Sequence, residues 1–130
     1  MTDLAKRAVA CKGWRWMPGM LTLPWRDEFG DVSHPPWRLR TENWMPFADG
    51  HRGAIPDLTD PATLGCLERL AQDAWNDIGL YVQGQYHEGR WRWRFRGGKN
   101  HGGEFNRASA VWHSSKAAAL VAALEAAPTR

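Results

Sequence analysis

From Arg90 to Arg96 the chain reads Arg-Trp-Arg-Trp-Arg-Phe-Arg, a guanidinium and an aromatic ring in strict alternation. Successive side chains of a strand point to opposite faces, so the segment carries an aromatic wall on one side and a row of arginines on the other. Tyr81-Val82-Gln83-Gly84-Gln85-Tyr86-His87 has the same period, and Glu88-Gly89 supplies the turn of a hairpin. In that register Tyr86 faces Trp91, Gly84 faces Trp93 and Val82 faces Phe95, while Gln85 faces Arg92 and Gln83 faces Arg94. A three-residue turn with a bulge at Gly89 would slip the register by one and set Gln83 against Trp93, so the two-residue turn is the expected one.

A chain of 130 residues is long enough for a core of its own and short of the length that usually splits, which predicts one α+β domain over residues 1–130. Nine tryptophans and four phenylalanines make its burial aromatic, and large rings can close a small core. The formal charge of +3 and the pI near 9.2 permit an anionic partner without requiring one. Cys11 and Cys66 form neither a disulfide framework nor a zinc pattern, and no apolar run is long enough for a bilayer. The first twelve residues carry Asp3, Lys6 and Arg7 and lack a secretory apolar stretch, so a cytoplasmic location is expected.

Thr2 can cap a first helix running through about Cys11, with Leu4, Ala8 and Cys11 on its inner face and Gly13 near its end. Residues 14–56 hold short apolar runs, Trp14-Arg15-Trp16-Met17, Met20-Leu21-Thr22-Leu23, Trp37-Arg38-Leu39-Arg40 and Trp44-Met45, cut by prolines. Proline removes a ladder donor, so these read as short or edge strands, with polar exposed loops at 27–36 and 48–54. Asp60-Pro61 opens the clearest helix, N-cap followed by proline at the first helical position. Leu64, Leu67, Leu70, Ala71, Ala74, Trp75 and Ile78 form its apolar stripe, which is expected to lie on the sheet beneath Trp91, Trp93 and Phe95. Gly97-Gly98-Lys99-Asn100-His101-Gly102-Gly103 reads as a loop, 108–112 as a strand, and Ser114 or Ser115 as the cap of a final helix. In that helix Ala117, Leu120, Val121, Leu124 and Ala127 face one way. The order predicts an antiparallel sheet of short strands with a central hairpin, covered by two or three helices.

Three stretches belong together: Cys11-Lys12-Gly13-Trp14-Arg15-Trp16-Met17-Pro18-Gly19-Met20, Pro56-Asp57-Leu58-Thr59-Asp60-Pro61-Ala62-Thr63-Leu64-Gly65-Cys66-Leu67, and the tail Ala119-Leu120-Val121-Ala122-Ala123-Leu124-Glu125-Ala126-Ala127. The trio resembles a family of small uncharacterised proteins of tailed-phage and prophage genomes. The likeness covers the two ends and the central helix, and it brings no activity to any residue. What it implies is an accessory protein acting in a bacterial cytoplasm, a niche in which many products block host defences such as CRISPR systems.

For a catalytic reading, His34, His51, His87, His101 and His113 would have to work with Cys11, Cys66 or a carboxylate. No pair has metal or triad spacing, and solvated histidines are the expectation. Cys11 and Cys66 read as packed thiols. The Gly-Gly-Lys of the 97–103 loop lacks the Gly-Lys-Ser/Thr ending and the following helix of a phosphate loop. No catalytic, cofactor-binding or metal-binding residue is therefore assigned. The arginine row remains: Arg90, Arg92, Arg94 and Arg96 would stand about 7 Å apart along one strand, near the phosphate spacing of a nucleic-acid strand. Either each guanidinium pairs with a carboxylate or lies over a helix, or the row with Lys99 meets an anionic partner. The favoured expectation is a non-catalytic inhibitor that binds a host or phage protein or nucleoprotein complex through Arg90, Arg92, Arg94, Arg96 and Lys99. The alternative is a small sheet-based module that binds nucleic acid directly, with no membrane partner in either case.

Overall fold

The computed structural model describes residues 2–26, 33–40 and 54–128. In chain order these form α1 (Thr2–Ala10), β1 (Trp25–Arg26), β2 (Ser33–His34), α2 (Pro61–Ala74), β3 (Tyr81–His87), β4 (Arg90–Arg96), α3 (Gly103–Ser109) and α4 (Lys116–Ala126). The fold is α+β, with antiparallel pairing of β1 with β2 and of β3 with β4. Trp44-Met45 and most of the 27–36 and 48–54 segments lie outside the described residues.

The hairpin has the register that its alternation dictates, Tyr86 opposite Trp91, Gly84 opposite Trp93 and Val82 opposite Phe95. Its turn is tight because Glu88 and Gly89 both take positive φ, 50° and 82°. Those dihedrals match the right-handed twist of the flanking strands. The arginines consequently fall on one face with Gln83 and Gln85.

α4 is the centre of the packing. Ala117, Ala119, Leu120, Val121, Ala123 and Leu124 are all buried, which wraps apolar surface around the helix rather than along one stripe. A helix whose apolar surface wraps most of the way round takes the middle, and the small alanines let neighbours approach closely. α1, α2, α3 and both hairpin strands pack on it.

The expectation that α2 lies beneath Trp91, Trp93 and Phe95 is therefore corrected. α2 keeps a polar face and stays on the far side of α4. Its link to the hairpin is a chain of rings: Phe105 meets Trp75 edge-on at 4.9 Å and Phe95 at 5.2 Å. Trp75 also ties α2 to α4, its Nε1–H donating to the Ala123 carbonyl at 2.8 Å. Ile78 is not part of the stripe, since α2 ends at Ala74 and Ile78 is exposed in the turn beyond.

Two further expectations change. Residues 108–112 form no strand: α3 occupies Gly103–Ser109, with Phe105 and Ser109 buried one turn apart. Pairing is confined to His113, which exchanges backbone hydrogen bonds with Trp93 at 2.7 and 2.9 Å. The run Trp14-Arg15-Trp16-Met17 is likewise not a strand; Trp14 and Trp16 instead meet edge to face at 5.4 Å.

At the N-terminus of α2, Asp60 caps as expected, accepting from the Thr63 N–H at 3.0 Å. Arg38 grips the same carboxylate through both terminal nitrogens at 2.8 and 2.9 Å, and this holds Asp60 well below the usual carboxylate range. Ser115, not Ser114, caps α4. Among the described residues no helix is long and apolar enough to cross a membrane.

Candidate functional site: the two faces of the hairpin

His113 bridges Trp93, so the residue before it, Trp112, falls on the opposite face, among the arginines. Its ring lies against the guanidinium carbons of Arg92 and Arg94, 4.0 and 4.3 Å from the ring centroid. From β3, Gln85 Oε1 accepts from Arg92 Nε at 2.8 Å and also from Nη2. Gln83 Oε1 accepts from Arg94 Nε at 3.0 Å. Each guanidinium is thus oriented by an amide and supported by an indole. Both contacts leave its charge uncancelled.

The row does not make the carboxylate pairs that were one expectation for it, although Arg94 and Arg96 do lie beside α3. Among the described residues Arg90, Arg92, Arg94 and Arg96 pair with no carboxylate, whereas Arg7, Arg15, Arg38 and Arg69 each do. Burial, with the charges of Arg96 and Arg92, pushes the pKa of Arg94 down. The predicted row is also not uniform. Arg92 and Arg94 share the Trp112 platform, Arg96 and Lys99 gather at the far end of β4, and Arg90 stands by the turn opposite His87. Gln83 and Gln85 could have been read from the register. Trp112 could not, because its placement depends on a bridge from another part of the chain.

The aromatic face divides along its length. Phe95 is fully buried and Val82 half-buried against the core, and Trp93 lies across Gly84. Nearer the turn Trp91 is 58% and Tyr86 63% exposed. Burial of Trp91 is therefore not observed and that of Trp93 is only partial; the hairpin outruns its cover, with Tyr86 meeting Trp91 edge-on at 5.7 Å and Trp91 stacked on Trp93 at 5.8 Å.

The loop after β4 is tied inward. Asp77 accepts from the backbone N–H groups of Gly79 at 3.0 Å, Gly98 at 2.8 Å and Lys99 at 3.3 Å, and from His101 Nε2 at 2.7 Å. Amides of a phosphate loop must point out at a ligand; those of Gly98 and Lys99 point in, at a buried carboxylate. The expectation of solvated histidines also fails here. His101 is buried and stacks on Phe105, and His113 is half-buried, its pKa lowered first by burial and then by Arg7. Spacing could not reveal the Asp77–His101 pair, which is assembled across the whole hairpin. His51 lies outside the described residues.

Both cysteines are half-buried. Cys11 Sγ donates to the Arg7 carbonyl and Cys66 Sγ to the Pro18 carbonyl, and burial pushes both thiols up. Among the described residues no group of three or more His, Cys, Asp or Glu side chains is arranged to hold a metal ion. No protein-family model matches the chain, and comparison with curated proteins and with solved structures returns no match.

Proposed function

We propose that this is a non-catalytic binding protein that docks the arginine face of its β3–β4 hairpin on an acidic surface of another protein or nucleoprotein complex. The observation that carries the reading is the pair Arg92 and Arg94, oriented by Gln85, Gln83 and Trp112 and paired with no carboxylate among the described residues. Guanidiniums ordered before binding lose little freedom on meeting a carboxylate, and their N–H forks suit bidentate contact. Arginine is also among the residues that dominate binding energy at protein interfaces. The resemblance to small phage proteins extends the proposal: the partner is a host or phage complex in the bacterial cytoplasm, and docking inhibits it, as an anti-CRISPR protein does.

Exposure of Trp91 and Tyr86 favours a second reading, in which bases of a single strand stack on these rings. The geometry weighs against it. The exposed rings and the arginines occupy opposite faces of one hairpin, and the ring that shares the arginine face, Trp112, is already covered by Arg92 and Arg94. One strand would have to wrap the hairpin to use both.

The test is the double variant Arg92→Glu, Arg94→Glu, compared with the parent for folding, for capture of bacterial proteins and for oligonucleotide binding. The expected result is a folded variant that no longer captures the protein bound by the parent. Oligonucleotide binding by the parent that falls by about three powers of ten between about 50 and 200 mM salt would establish the nucleic-acid reading instead. Unfolding of the variant would make the arginines structural and sink both.

A further inference from the structure

The arginine face ends in a cleft. Arg94 and Arg96 from β4, Lys99 from the following loop, and Asn106 and Ser109 from α3 surround a space of about 340 Å³ beside the Phe105 ring. Cations are present on two of its walls, and among the described residues no carboxylate lines it.

Its frame is rigid. The Lys99 backbone is held by Asp77, and Phe105 is buried between Phe95 and Trp75. Arg94 is bound only through Nε, to Gln83, which leaves its terminal nitrogens uncommitted among the described residues. Burial and the charges of Arg96 and Arg92 both work against its cationic form, and an anion in the cleft would offset all of them. Backbone amides of Gly98 and Lys99 are already taken by Asp77, so any anion must be held by side chains.

We propose that this cleft binds a phosphate monoester, carried either by a small molecule or by a phosphorylated side chain of the docking partner. A monoester has about −1.5 to −2 charge near neutral pH and three acceptor oxygens, which suits a cleft lined by three cationic residues and an asparagine better than a singly charged carboxylate does. α3 forms one wall, and a cleft walled in this way fits an end group rather than a backbone that must run on. The inference deepens the docking proposal and rests on the same hairpin face, but it uses Lys99 and Asn106, which the Trp112 platform does not.

The experiment is a titration of the full chain with inorganic phosphate at constant ionic strength near neutral pH, following the Arg Nε–H and Asn side-chain NMR signals. Expected are saturable shifts at Arg94, Arg96 and Asn106. Lys99→Gln should weaken binding about fivefold or more, and Arg90→Gln, outside the cleft, by less than about twofold. Both replace exposed side chains, so the fold is retained. Shifts that do not saturate, or equal losses in the two variants, would mean diffuse charge screening and overturn the site. A sugar phosphate and a phosphoserine peptide, each compared with its unphosphorylated form, then distinguish the sources. Preference for either phosphorylated probe supports the proposal, and preference for neither overturns it. An oligonucleotide without terminal phosphates that binds as tightly as the monoesters also overturns it. Absence of phosphate binding, with partner capture still lost in the Arg92→Glu, Arg94→Glu variant, would remove the cleft and leave the docking reading standing.

Discussion

Asp77 and His101 meet through a 2.7 Å hydrogen bond between Oδ2 and Nε2, with side chains only 4% and 8% exposed. Asp77 sits in the turn before β3 and His101 in the loop after β4, so the pair closes the open end of the hairpin. The same carboxylate accepts from Gly79, Gly98 and Lys99, and it fixes the loop that carries Lys99 beside the arginines. A buried charge is tolerated here because its acceptor capacity is filled.

Replacing Asp77 by Asn should cost about 3 kcal/mol, because an amide cannot accept from all of these donors and leaves some of them buried without a partner. Urea denaturation near neutral pH measures this. The same group predicts an acid effect. Burial pushes the Asp77 pKa up, but hydrogen bonds from His101, Gly98, Gly79 and Lys99 more than reverse it, so the net shift is downward. A lowered carboxylate pKa contributes stability that is complete above the ordinary value of about 4 and is lost as pH falls below it, through the folded value. The parent's urea midpoint should therefore drop more steeply below about pH 4 than that of Asp77→Asn. Asp60, held down first by Arg38, contributes a parallel loss in both proteins. Parallel curves would remove Asp77 from the account.

Along the aromatic face the cost of truncation should follow depth. Phe95→Ala should cost about 3 to 5 kcal/mol. Trp91→Ala should cost less than about 1 kcal/mol, because its ring is mostly in water. Trp93→Ala should fall between them. Equal costs for Trp91 and Phe95, measured by the same denaturation, would mean that the hairpin does not overhang α4.

Gly84 is required by the ring across from it. A Cβ added there would stand 2.6 Å from Cζ3 of Trp93, so Gly84→Ala must push the indole aside. Overpacking of this kind costs about 1 to 3 kcal/mol. A melting temperature equal to the parent's would show that Trp93 does not rest on Gly84.

Trp112→Ala should cost little stability, about 1 kcal/mol, since cation–π support at a partly exposed site is weak. Its larger effect should be on binding: Arg92 and Arg94 lose their platform and must be ordered by the partner at an added entropic cost. Trp112→Phe keeps a ring beneath them and should restore most of the affinity. If Trp112→Ala binds as the parent does, preorganisation by this ring is not part of recognition.

Residues alone determined whatever depends on a local period or a local cap. The Arg-aromatic alternation dictated β4, its register with β3 and the sidedness of the arginines, and Asp60-Pro61 dictated the start of α2, because pleat and capping geometry act within a few residues. They could not say which element covers the rings. That choice is a competition for the core, and α4 won it over α2 because its apolar surface wraps more of its circumference. Nor could they separate the buried Phe95 from the exposed Trp91, which occupy equivalent places in the pattern and differ only in how far the covering helix reaches. Trp112 on the arginine face, His101 on Asp77 and the helix at Gly103–Ser109 were likewise decided by contacts between distant segments. Local periodicity sets the faces of an element; long-range packing sets which part of each face is buried and which remains to meet a partner.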